Sequence, residues 1–151
     1  IAKQDGNAIS VIICLAGFAL CEVMAKSSEA KTYLRESIQM SQQIHFYEAL
    51  AWSMEIWALV SINEGRYVHA VTLMGAVDHL RETTQLPVWD DLHAIILDAN
   101  VQLHKLLGDD AFTHAWDQGV NMSFERMLEY AMEEGVEEMK TGLVEQSQLL
   151  L

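Results

Sequence analysis

Apolar residues recur along this chain at intervals of three and four, the spacing that lines one face of an α-helix, and breaker residues separate the stretches. The pattern predicts a first helix over about 8–25, a second capped by Ser27 or Ser28 and running to Gln43, and a third over 46–63. Gly65 stops the third, and a fourth covers 67–84. The segment Gln85-Leu86-Pro87-Val88 interrupts the pattern, because proline lacks a donor and restricts the residue before it. Asp90 or Asp91 then opens a fifth helix that ends at Leu107. Beyond it, Gly108 can sit at positive φ, Asp109 or Asp110 can cap a sixth helix, Gly119 can end it, and Ser123 can cap a seventh. Phe112, Ala115, Trp116, Met122, Met127, Leu128 and Ala131 are spaced so that these last two helices would fold their apolar faces onto each other.

The helix pairs repeat weakly. Aligning Glu29-Ala30-Lys31-Thr32-Tyr33-Leu34 with His69-Ala70-Val71-Thr72-Leu73-Met74 places a small alanine and a large apolar residue at equal offsets, about 40 residues apart. The alanine lets one helix approach its partner, and the large residue fills the space beside it. Trp57 and Ala58 fit the same logic. The expected fold is all-α, with hairpins over about 8–43, 46–84 and 90–134, followed by an acidic C-terminal helix or tail over 135–151.

The stretch from Leu107 to Ala131, L-G-D-D-A-F-x-x-A-W-x-x-G-x-x-M-S-x-E-x-M-L-x-Y-A, resembles the C-terminal end of the helical-repeat region of bacterial LuxR-type and related signal-transduction ATPase regulators. The resemblance continues upstream through Gly65-Arg66, Ala70, Leu73-Met74-Gly75-Ala76, Leu80-Arg81-Glu82 and Leu86-Pro87, and covers roughly 49–132. It implies a right-handed stack of antiparallel helical hairpins, a tetratricopeptide-like α-α superhelix. It also implies a parent protein whose ATPase and DNA-binding domains lie elsewhere. The chain departs from the tetratricopeptide pattern in a repeat longer than about 34 residues and in lacking a proline that closes each hairpin.

Composition narrows the function. The chain has 151 residues, is 51% hydrophobic and holds a single proline, which suits packed helices, and its start at Ile1 reads as a piece of something longer. Nine basic against 22 acidic residues give a net charge of -13, which repels phosphate backbones and anionic lipid heads. Neither nucleic acid nor membrane is therefore an expected partner of this segment. From Asp109 onward ten acidic residues face only Arg126 and Lys140, so that end carries eight of the thirteen net negative charges and reads as a solvated end cap or an acidic docking surface.

Cys14 and Cys21 fall seven apart on one predicted helix, about 10 Å along its axis, which is too far for a disulfide. They are expected to be reduced core thiols in a cytoplasmic protein. The uncharged run from Ala8 to Cys21 is shorter than the ~18 residues of a membrane span and lacks the flanks of a signal peptide, so it is expected to form a buried first helix.

Candidate chemistry is sparse. The histidines at 45, 69, 79, 93, 104 and 114 form no H-E-x-x-H pair, and only Asp90-x-x-His93 has a ligand-like spacing. The chain lacks both G-x-x-x-x-G-K and G-x-G-x-x-G, so no nucleotide cofactor and no metal is expected. The aromatic cluster Tyr47, Trp52, Trp57 and Tyr67 is the remaining candidate, with Tyr47, Trp52 and Glu55 as prospective contacts in the inner groove of a solenoid. The reading is a non-enzymatic segment that binds a protein, a peptide or a small-molecule inducer, or packs against other domains of a parent regulator. The alternatives are a self-contained helical metal-binding protein or enzyme, and a structural element that forms a homodimer.

Overall fold

The computed structural model describes residues 2–133, and every regular element among them is an α-helix: α1 (Ala2–Met24), α2 (Ala30–Ile44), α3 (Tyr47–Asn63), α4 (Tyr67–Thr84), α5 (Asp90–Leu107), α6 (Asp109–Val120) and α7 (Phe124–Met132). The acidic segment expected over 135–151 lies outside the described residues.

Glycines end two helices as the sequence suggests, with Gly65 at φ 77° and Gly108 at φ 82°. Three other turns place non-glycine residues in the left-handed region: Lys26 and His45 at φ 57° and Gln85 at φ 56°. Ser123 caps α7, its Oγ accepting from the Arg126 backbone N–H at 3.1 Å. Several expected caps are corrected. Ser27 lies before the α2 cap position and accepts from the Glu29 N–H at 3.2 Å, while the cap residue Glu29 makes no side-chain capping bond. Trp89 and Gly108 hold the cap positions of α5 and α6, so the aspartates at 90, 91, 109 and 110 occupy first turns, where they face the positive helix end without capping it.

Helix α3 stands at the centre. It is buried on nearly every side, from Ala49 to Ser61, because α1, α2, α4, α5 and α7 all pack on it. Trp57, Met54, Ile56 and Leu50 fill the core around it. The repeat read from the sequence appears in this packing: Ala30 and Ala70 are both buried at helix starts, and Leu34 and Met74 are both buried one turn later.

The most extensive helix pairing is between α4 and α6. It rests on two glycines. A Cβ at Gly75 would overlap the Trp116 carbonyl, and one at Gly119 would overlap the Thr72 carbonyl and approach the Ala76 nitrogen to 2.7 Å. Gly119 stands one residue before the end of α6, close to where the sequence placed the stop, but it is buried there and serves the contact with α4. The expected closure of α6 and α7 upon each other is likewise corrected. The α6 backbone is drawn onto α4, and Met127, Leu128 and Ala131 bury α7 against α4 and α3.

Helix α1 touches the fold on one side, through Ile12, Leu15, Ala16, Ala19 and Val23 against α2 and α3. Its opposite face leaves Val11, Cys14, Phe18 and Cys21 exposed, so the two cysteines are free thiols on the surface and not in the core. The apolar stretch is also longer than the sequence suggested. Residues 6–24 form one helix long and apolar enough to cross a membrane by length and composition, with 28% of it buried within the fold.

Candidate interaction groove

Helices α1, α3 and α5 converge on an open groove of about 270 Å³. The last turn of α1 supplies Val23 and Met24, α3 supplies Leu59 and Ile62, and α5 supplies Ile95, Ala99, Leu103 and Leu106. Local chemistry fixes this geometry. The Lys26 N–H donates to the Val23 carbonyl at 3.0 Å as the chain turns left-handed, and Asn63 Nδ2 donates to the same carbonyl at 3.0 Å, tying the ends of α1 and α3 together. Met24 and Leu106, each at least 60% exposed, form apolar lips.

Beyond Lys26 and Asn63, which line both spaces, lies a second niche of about 310 Å³. Its walls include Ser27, Ser28, Lys31 and Glu64, with Lys31 Nζ 2.7 Å from Glu64 Oε1. The two spaces together present an apolar floor that leads to a polar, charged end. Such a surface suits the binding of an amphipathic segment or ligand.

The prospective groove residues occupy three separate environments. Tyr47 is 46% exposed and packs edge-on to Phe124, with ring centroids 5.7 Å apart. Trp52 is half-buried between Phe46 and Trp89, at 5.7 and 5.9 Å. Glu55 is 2% exposed and ion-paired with Arg81 of α4. Burial holds the Arg81 guanidinium below its ordinary pKa, since the low-dielectric interior penalises its charge. None of the three lines the α1–α3–α5 groove. Sequence reasoning missed the groove because most of its lining is apolar residues of three helices, indistinguishable by type from core residues, with Lys26, Asn63, Asp98 and Gln102 among them. The accessible signal was the apolar surplus on α1 and α5.

A buried polar tie holds α7 in place. His69 of α4 is 1% exposed, with Nδ1 2.8 Å from Ser61 Oγ of α3 and Nε2 2.7 Å from the Tyr130 carbonyl of α7. A carbonyl only accepts, so Nε2 carries the proton and Nδ1 of the neutral ring accepts from the Ser61 hydroxyl. The ring also stacks on Tyr130, with centroids 4.5 Å apart. Burial lowers the His69 pKa to about 4, against the opposing hydrogen bond to Tyr130, so the ring is neutral at physiological pH. Among the described residues no group of three or more His, Cys, Asp or Glu side chains converges.

Over 92 residues, 59% of its length, the chain is 28% identical to proteins of Mycobacterium bovis and Mycobacterium tuberculosis assigned by inference as HTH-type transcriptional regulators. It is similar to a small part of them. The matched stretch spans about a tenth of each relative's length. No family model matches the chain. No solved structure matches it.

Proposed function

We propose that this chain is a non-enzymatic, protein-interaction or ligand-sensing segment of a larger bacterial transcriptional regulator of the LuxR type, working in the cytoplasm as part of a tetratricopeptide-like superhelix. One observation carries the reading: the similarity to HTH-type regulators occupies about a tenth of their length, which is what an accessory helical segment of a long chain would give. The groove between α1, α3 and α5 supports it, as a place for a peptide, an inducer or a neighbouring domain. Occupation of the groove would bias the parent protein between two arrangements in proportion to the ligand's differential affinity for them.

The test is Ala99→Trp, which fills the groove from α5, made in the full-length parent and read by a transcriptional reporter. Altered induction with an unchanged amount of folded protein supports the reading. Induction identical to wild type across the inducer range defeats it.

A second reading, a homodimerisation element, is favoured by the exposed stripe Val11, Cys14, Phe18 and Cys21, whose three-and-four spacing matches a helix–helix seam. Light scattering on dilution, with Phe18→Glu as the monomeric reference, discriminates between the two.

A further inference from the structure

The flank of α5 that turns toward α6 carries a surface distinct from the groove. Leu97, Val101 and His104 follow one another at helical spacing, and Leu97 and Val101 are 53% and 52% exposed. Beside them α6 sets Phe112 and Trp116 one turn apart and half-buried. The His104 ring lies parallel to Phe112, with centroids 4.5 Å apart at 6°, and Phe112 stacks on Trp116 at 5.8 Å and 20°. His104 Nε2 is 2.5 Å from Asp109 Oδ1, which fixes the outer ring of this stack. A hollow of about 320 Å³ opens on one side of His104, against Asn100, Phe112, Thr113 and Trp116. Another opens on the other side, against Val101, Lys105, Gly108 and Asp109.

Charge selects the occupant. Between Asp90 and Val120 the sequence holds six aspartates, at 90, 91, 98, 109, 110 and 117, against Lys105 as the one basic residue; of these, Asp98 lines the α1–α3–α5 groove and Asp109 lines a hollow beside His104. A second copy of the same face would bring like charge to like charge, in a chain whose net charge is already -13. A cationic partner is attracted by this excess of aspartates, with Lys105 the one local repulsion.

We propose that the α5–α6 face docks a basic amphipathic helix. Its apolar stripe would lie along Leu97 and Val101, with aliphatic anchors in the hollows beside His104. Its arginines would reach the surrounding carboxylates and stack on the edge of the aromatic row. The inference goes beyond the regulator reading and does not depend on it, because the groove and this face are lined by different residues of α5.

The test uses the whole chain and a synthetic amphipathic Leu/Arg helix as probe, with a peptide of the same apolar pattern carrying glutamate for arginine. The Leu/Arg peptide is expected to shift the amide resonances of residues 97–104 and 109–117, and to lose affinity about tenfold or more from low to high salt. Val101→Arg, at an exposed position, should weaken it by about tenfold or more while leaving the thermal melt unchanged, and Ile13→Ser, at an exposed position of α1, should leave it intact. Equal affinity for both peptides would overturn the proposal. So would shifts confined to the α1–α3–α5 groove or to residues 134–151, indifference to Val101→Arg, or self-association through Leu97 and Val101.

Discussion

Gly75 of α4 and Gly119 of α6 face each other's helices at one crossing, each pressed against the backbone of the opposite helix of the pair. Without Cβ atoms the two helices approach until main chain meets main chain, and Trp116 and Thr72 contribute the carbonyls that define the contact. This crossing anchors α6, and with it one wall of the α5–α6 face, to the central helices.

Gly75→Ala and Gly119→Ala are therefore expected to destabilise the fold by roughly 2–4 kcal/mol each, because overlap with backbone outweighs the ~1 kcal/mol by which alanine favours a helix. Gly17 lies in α1 with open space around its would-be Cβ, so Gly17→Ala should stabilise by about 0.5–1 kcal/mol. Urea unfolding followed by circular dichroism gives both signs. Equal effects at positions 17 and 119 would refute the close-crossing account.

The left-handed turns make a second contrast. His45 and Gln85 hold positive φ at the C-caps of α2 and α4, where an L side chain crowds the following carbonyl. His45→Gly and Gln85→Gly should each stabilise by up to ~1 kcal/mol. Gly65→Ala, which imposes the same strain, should cost about as much. Thermal melts of the three variants measure it.

Stability should depend on pH through His69. Its folded pKa of about 4 lies below the unfolded value of 6.5, so the unfolded chain binds the proton first as pH falls. The contribution is complete above pH 6.5, declines between 6.5 and about 4, and changes no further below that. The full loss is about 3 kcal/mol. Urea midpoints across this range should flatten in His69→Gln, and an unchanged slope in that variant would assign the effect to other groups.

Glu55 and Arg81 form a buried pair between α3 and α4. Arg81→Met leaves the Glu55 carboxylate buried without its cation, at an expected cost of about 3–5 kcal/mol, whereas Glu55→Leu combined with Arg81→Met should recover most of it. A double-mutant cycle by denaturant titration checks the coupling. Additive losses would show that the two side chains do not share one site.

What the sequence by itself determined is the succession of helices. Gly65, Gly108, Pro87 and Ser123 act on their own few residues, so their consequences are local and legible, and the 3.6-residue period of apolar positions is a local property too. The equivalence of Ala30 with Ala70 was legible for the same reason. What only the tertiary structure decided is which face meets which neighbour. Gly119 reads as a helix stop in sequence and is a contact surface in space, because its role depends on α4, more than forty residues earlier. Cys14 and Cys21 read as core because their surroundings are apolar, yet among the described residues α1 has a partner on one side only, and burial is a property of partners. Glu55 reads as a groove contact and is enclosed because Arg81 arrives from another helix. The groove itself is built mostly from apolar side chains of three helices, and nothing in their type distinguishes a wall left open from a wall covered until the helices are stacked.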